Sequence, residues 1–490
     1  NTFGANCLKF SESELEKIIK SAVENAKTAQ KKSGATQPKW VALDIGPTGR
    51  MLKPYGDLDF EDAVEIFAKT VKIGAGCGAD LVFIETMNDS LETKAALLAA
   101  KENCSLPVFV SNAYGEDGKL MTGATPMAMV ALLEGMGVDA LGANCSLGPK
   151  QLTSVAEEFI KYASVPVVLK PNAGLPKNVN GKTVFDVLPE EFSTDLAKII
   201  EKGVRVAGGC CGTTPDYIKA LTQKTKNITP KPLTDKNITM VSSYTHSVVF
   251  GEKPILIGER INPTGKKRFK QALVENDIDY ILNEGVNQQE KGVDILDVNV
   301  GLPEIDEETV LKNAVEELQA VTDLPLQIDT SDISAMEKAL RVYNGKAMIN
   351  SVSGKQEVME KVFPLVKKYG DKRSTQESPC GARGTNYGGI IERKAMHGEG
   401  ARVIHNDNGV IHQHAHGDDE ARKRGAVDAL ADKEHSKERS TDGKEQRRAY
   451  DNARAPTHNE HNQQDDYSNR LGEVCQEVVV RLARYLILGI

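Results

Sequence analysis

Residues 125–149 read TPMAMVALLEGMGVDALGANCSLGP. An apolar helical period over Pro126–Met136 leads through a glycine turn into the short apolar run Ala140–Gly142, which stops at Asn144 and Cys145. A helix feeding a wholly apolar strand is one repeat of a parallel α/β sheet, because such strands are covered on both faces. A polar stop at the strand's C-terminal end is where barrels of this kind carry their chemistry.

Working outward, the same repeat recurs. Strands are expected at Trp40–Leu43, Leu81–Ile84, Pro107–Val110, Val165–Leu169 and Val204–Ala207, with helices at Glu61–Ile73, Leu91–Lys101 and Gln151–Tyr162. An eight-stranded barrel needs about 250 residues. A first region of residues 1–223 therefore falls short at its front, and its opening NTFGAN reads as the loop after a second strand. The absence of an initiator Met and of a basic-then-apolar leader points to a start within a larger gene product and to the cytoplasm.

Residues 224–252 form a polar connector rich in Thr, Asn, Pro and Ser. A second series follows over residues 253–370, with strands at Ile255–Ile257, Ile295–Val298, Leu326–Ile328 and Ala347–Ile349 and helices at Glu307–Ala320, Ala335–Val342 and Val358–Tyr369. The expected fold is α/β: two (β/α)8 barrels of the TIM type in tandem, the first lacking N-terminal strands and the second interrupted after about four.

From Asp371 to Ile490 the character changes. Large apolar residues are sparse as far as Arg470, Arg predominates over Lys, and every histidine except His246 lies here. This tail reads as an unstructured extension or as a segment translated from another frame. Its HQHAH at residues 412–416 offers alternate histidines, read as adventitious metal binding.

Composition narrows the function. With 490 residues, a net charge of −8, 40% hydrophobic and 27% charged residues, the chain can bury sizeable cores and is no general binder of nucleic acid or anionic membrane. No run is long enough for a membrane helix. Eight cysteines in such a length are too few for a disulfide framework and suit reduced thiols.

Three of them close expected strands: Cys145 in LGANCSLGP, and Cys210 and Cys211 in VAGGCCGTT. Thiolates from two strands can converge on one cation there, and three sulfur ligands leave the fourth position of Zn²⁺ open to a substrate. The same cysteines can equally be small buried residues. Asp44, Glu85, Asn112, Asn144 and Asn172 end other strands, where helix capping is the ordinary role for Asp and Asn but not for Glu. In the second series Glu259 and Asn262 (IGERINPTG), Asp297 and Asn299 (ILDVNVG), Asp329 (LQIDTS) and Asn350 (MINSVS) repeat that choice at four successive strands. Carboxylates and amides in a barrel mouth can match the donor and acceptor edges of a flat heterocycle. The glycines of GAGCG and AGGCCGT do not open a helix after a strand as a dinucleotide fingerprint requires, and no GxSxG or HExxH occurs.

GANCSLGP followed by GGCCGT resembles the zinc-dependent homocysteine S-methyltransferase barrel, while GERINPTG, LDVN, IDTS and INS resemble a pterin-binding methyltransferase barrel. In this order, over about residues 1–370, they resemble the cobalamin-dependent methionine synthase family. The resemblance implies zinc at Cys145, Cys210 and Cys211, Glu85 at the amino group of homocysteine and Asn144 beside the metal. It implies further that Glu259, Asn262, Asp297, Asn299, Asp329 and Asn350 face 5-methyltetrahydrofolate. The methyl group would pass through methylcobalamin, held on a domain or corrinoid protein elsewhere, since no DxHxxG motif occurs in this chain. Two further readings are a homocysteine methyltransferase with another donor, and a non-catalytic metal- or pterin-binding fragment.

Overall fold

The structure, a computed structural model, describes residues 11–34, 37–251, 253–352 and 355–370 and the backbone of 390–392. It opens on helix α1 (Glu12–Lys32), which the sequence reading did not single out. Leu15, Ile19 and Val23, four residues apart, form its buried stripe and pack it against α2. Then come β1 (Ala42–Ile45), α2 (Phe60–Gly76), β2 (Leu81–Met87), α3 (Ser90–Asn103), β3 (Val108–Asn112), α4 (Pro126–Gly135), β4 (Ala140–Asn144), α5 (Thr153–Tyr162) and β5 (Val167–Lys170). A short hairpin, β6 (Lys177–Val179) and β7 (Lys182–Val184), precedes α6 (Pro189–Lys202), β8 (Val206–Ala207) and α7 (Pro215–Thr225).

The main strands form a six-stranded sheet in the order β1-β2-β3-β4-β5-β8, parallel throughout. All six expected strands are present, most displaced towards their C-terminal ends by one or two residues. Local chemistry starts the helices: Thr125 caps α4, its hydroxyl accepting from the Ala128 N–H at 3.2 Å, with Pro126 in the first turn where no donor is needed. The sheet curves inward. Glu85 on β2 and Lys170 on β5 lie three strand steps apart, about 14 Å on a flat sheet, yet their side chains meet.

The connector is not featureless. Residues 240–249 fold into an antiparallel hairpin, β9 (Met240–Ser242) and β10 (Ser247–Val249). Its Val241 and Val248 pack with Ile255, Ile295 and Met348, and so cover the N-terminal ends of the next strands. The second region runs β11 (Ile257–Ile261), α8 (Lys267–Val274), α9 (Ile278–Glu290), β12 (Ile295–Val298), α10 (Glu307–Val321), β13 (Leu326–Asp329), α11 (Ile333–Val342), β14 (Met348–Val352) and α12 (Gln356–Tyr369). The ranges of helices α8 and α9, like those of α6 and α7, are not singled out in the sequence reading.

The four strands expected over residues 253–370 are present as β11 to β14, and the tail read as unstructured adds one more. A fifth, β15 (Ile390–Glu392), pairs parallel to β14 and extends the sheet to β11-β12-β13-β14-β15. Two adjacent isoleucines in an otherwise polar stretch are the only sequence signal for it. The rest of the tail, including HQHAH, lies outside the described residues. Most buried apolar side chains of both regions belong to one cluster running from Leu15 to Tyr369, with Phe83, Ala140 and Val168 forming a smaller separate one. Among the described residues no helix is long and apolar enough to cross a membrane.

Candidate functional site

The first sheet brings its three strand-end cysteines together. The sulfurs of Cys145, Cys210 and Cys211 lie within 4.8 Å of one another, and Cys145 Sγ is 3.8 Å from Cys211 Sγ. Tetrahedral zinc with bonds of about 2.3 Å holds its sulfur ligands about 3.8 Å apart, so this donor set fits that ion. All five cysteines among the described residues are free thiols, and only these three converge.

Backbone geometry aims them. Cys145 and Ser146 adopt left-handed conformations (φ 62° and 57°), as does Thr86 after Glu85 (φ 61°). Left-handed residues that are not glycine cost about 1–3 kcal/mol each and persist where their surroundings hold them. Here the β5 end does so: Cys145 N–H donates to Lys170 O at 3.0 Å, Cys210 N–H to Pro171 O at 2.9 Å, and Cys211 N–H to the Asn172 side chain at 3.0 Å. Asn172 is thus a brace for the cysteine loop rather than a helix cap. Asn112 is also structural, donating to Thr93 Oγ1 at 2.9 Å.

Asn144 is wholly buried and joins three strands. Its Oδ1 accepts from Thr86 N–H at 2.9 Å and Ser111 Oγ at 2.7 Å, and its Nδ2 donates to Thr86 Oγ1 at 2.7 Å and faces Cys210 Sγ at 3.8 Å. Glu85 forms a buried ion pair with Lys170, whose ammonium also lies 4.6 Å from the Phe83 ring centroid. Burial opposes charge on Lys170, but the Glu85 carboxylate and the Cys210 sulfur outweigh it and raise its pKa. Sequence reasoning missed this lysine. LKPNAG carries it one residue past the expected strand, and a charge there was the available signal.

The thiols are unequal. Hydrogen bonds from Cys210 and then Cys211 hold the Cys145 thiol far below its usual value, and sharing with that thiolate pushes Cys210 and Cys211 up. One negative charge is therefore favoured and a second opposed, a balance that a bound dication would reverse.

At the second sheet, Asp297 is the centre. It is 2% exposed and accepts a hydrogen bond from Gln327 Nε2. Burial, then the charges of Asp329 and Glu259, push its carboxyl well above the usual range, against hydrogen bonds from Gln327 and Asn350. Asn299 Nδ2 donates to Asp329 Oδ2 at 3.1 Å. Glu259, Asp297, Asn299, Asp329 and Asn350 thus form one polar group. Asn262 stands apart, its side-chain oxygen capping its own turn at Thr264 N–H, 2.9 Å away. Lys266, not anticipated, closes that turn by donating to the carbonyls of Glu259 at 2.9 Å and Asn262 at 3.2 Å.

Residues 1–225 match the family model described as homocysteine S-methyltransferase, and residues 258–372 that described as pterin binding enzyme. Methionine synthase from Mycobacterium leprae is 28% identical over 393 residues, covering 76% of this chain and 32% of that protein. The enzyme of the same name from Mycobacterium tuberculosis is 27% identical over 388 residues, again covering 76% and 32%. The chain therefore spans about a third of the length of the curated relatives it matches. Among solved structures, the metallated form of homocysteine methyltransferase MmuM from Escherichia coli aligns at 23% identity and TM-score 0.39, covering 46% of this chain and 77% of that one. The chain is thus similar, in order, to homocysteine S-methyltransferases over residues 1–225 and to pterin binding enzymes over residues 258–372.

Proposed function

We propose that this chain serves methyl transfer from 5-methyltetrahydrofolate to homocysteine, giving tetrahydrofolate and methionine. The observation that carries the reading is the convergence of Cys145, Cys210 and Cys211 at one strand-end cluster, in a chain whose next region matches a pterin-binding family.

Cys145, Cys210 and Cys211 would hold zinc. Bound there, it would supply a Lewis acid that keeps a substrate thiol deprotonated yet nucleophilic at neutral pH. Asn144 orients the site: its amide is locked by Thr86 and Ser111 and faces Cys210. Glu85, within the same mouth, takes the substrate ammonium. In the second sheet Glu259, Asp297, Asn299, Asp329 and Asn350 receive the pterin ring, with Asn262 at the rim. A protonated Asp297 both donates and accepts, which suits a heterocycle edge with alternating ring nitrogens and N–H groups. It also keeps a proton beside the ring, where the departing N5 nitrogen needs one. Cobalamin, carried by another domain or a corrinoid protein, would be the methyl carrier between the two sites.

The test supplies that carrier in trans. Purified protein with methylcobalamin and homocysteine should lose the methylcobalamin absorbance and form methionine. Zinc retention with no demethylation would favour a binding role without turnover. Methionine formed only from another donor would favour the alternative methyltransferase.

A further inference from the structure

Lys170 is 7% exposed at the end of β5, directly across from Asn144 in the β4–β5 register. Its ammonium pairs with Glu85 over the Phe83 ring. The pair therefore lies in the same mouth as the cysteines, with Asn144 linking it through Thr86 and Cys210 to the sulfur cluster. A buried ion pair is a poor device for stability, since apolar residues of similar volume serve as well or better. Its placement at a strand end, among thiols, calls for a ligand that uses both charges.

We propose that Glu85 and Lys170 form a receptor for an amino-acid zwitterion, which opens so that Glu85 takes the α-ammonium and Lys170 takes the α-carboxylate. This rests on the reading above that the substrate is homocysteine, and it assigns the carboxylate contact to Lys170. Charge balance supports the exchange. One protein ion pair is replaced by two protein–ligand pairs, so no buried charge is left unpaired before or after. Flexibility decides which partner moves: Glu85 is short and fixed within β2, whereas the four-carbon stem of Lys170 can swing its ammonium to a neighbouring position. The closed pair also sets specificity. A thiol lacking the ammonium or the carboxylate offers only one replacement partner and leaves the other protein charge stranded.

The test is calorimetric binding to the zinc-loaded full chain, with L-homocysteine compared with 3-mercaptopropylamine, which lacks only the carboxylate. The wild type should prefer homocysteine by about tenfold or more, as a charge-assisted contact supplies. K170M should reduce that preference to within about threefold, with zinc content unchanged, and K170R should restore it. Should K170M fail to fold because Glu85 is stranded, E85Q/K170M removes both charges and the same ratio is read. A preference unchanged in the variant overturns the role of Lys170 and leaves the functional reading standing. Failure of the wild-type protein to bind either thiol overturns that reading, and the receptor with it.

Discussion

Lys94 on α3 donates to the main-chain carbonyl of Leu340 at 2.6 Å, joining the first sheet's layer to the C-terminal end of α11 across 246 residues of sequence. The same ammonium reaches Tyr343 O at 2.5 Å and lies 5.6 Å from the Tyr369 ring centroid. It supplies donors where a helix leaves its last carbonyls unsatisfied.

Burial, aided by the charge of Arg341, pulls Lys94 down from 10.5 to about 7. The unfolded chain keeps that proton up to the ordinary lysine value, while the folded chain releases it from about 7 upwards. Stability should therefore rise with pH between those two values, by at most about 1.4 kcal/mol per pH unit. Urea unfolding at pH 7, 8 and 9 should show this slope in the wild type and not in K94M. Equal slopes would assign the titration to another group.

Arg341 is the second link between the regions. Its guanidinium, 20% exposed, donates to Glu61 at 2.5 Å and Glu102 at 2.6 Å. R341M should cost about 0.5–1 kcal/mol, because the carboxylates of Glu61 and Glu102 that lose a shared partner are solvent-exposed. Calorimetry should show the thermal transition broadening or dividing as the regions uncouple. A single unshifted transition would mean that the apolar contacts alone couple them.

C210S should remove the metal site. Zinc bound by the wild-type protein should fall by about one equivalent in the variant, because two thiolates at this site leave the ion short of its tetrahedral set. Elemental analysis of both proteins measures the difference directly, and metal bound elsewhere cancels. Equal zinc contents would sink the three-cysteine site.

Asp297 separates binding from stability. D297N retains a neutral polar group of the same shape and should fold with near wild-type stability, while D297A strands Gln327 at a cost of about 1–3 kcal/mol. Both should weaken 5-methyltetrahydrofolate binding, by about tenfold or more, as loss of a charge-assisted or buried hydrogen bond does. Fluorescence titration against unchanged affinity would count against Asp297 as a pterin contact.

Gly142 should tolerate no side chain. A Cβ there would fall 1.9 Å from Val168 O on the neighbouring strand. G142A should destabilise the first region by about 1–3 kcal/mol through strand displacement, and should lower zinc retention because Cys145 directly follows that strand. Chemical denaturation together with elemental analysis reads both effects.

The strands were legible because their residues are apolar on both faces, a pattern local to each run. Leu81–Ile84 and Ile295–Val298 needed no knowledge of their neighbours. Helices α6 and α8 also carry a local signal, in the buried faces Phe192, Leu196 and Ile199 and Phe269, Ala272 and Leu273. The β6–β7 hairpin had a local signal in Asn180–Gly181, whose left-handed backbone (φ 54° and 78°) is the Asn-Gly turn preference. The β9–β10 hairpin had little, because its three-residue strands acquire meaning only by covering Ile255, Ile295 and Met348.

Residue order alone shows which chemistry is available: three strand-end cysteines in one region and a repeated Asp, Glu and Asn choice in the other. Residue type and strand position are local properties, and resemblance to a family rests on them. Which of these groups meet depends on how the strands are brought together in space. Curvature of the first sheet pairs Glu85 with Lys170 across three strand steps, and the β5 end orients Cys145, Cys210 and Cys211 towards one point. In the second sheet it gathers Asp297, Asp329 and Asn350 while turning Asn262 to its own loop. Distance in space, burial and the competition of neighbouring charges set what a carboxylate or thiol does, and none of these is a property of the residue alone.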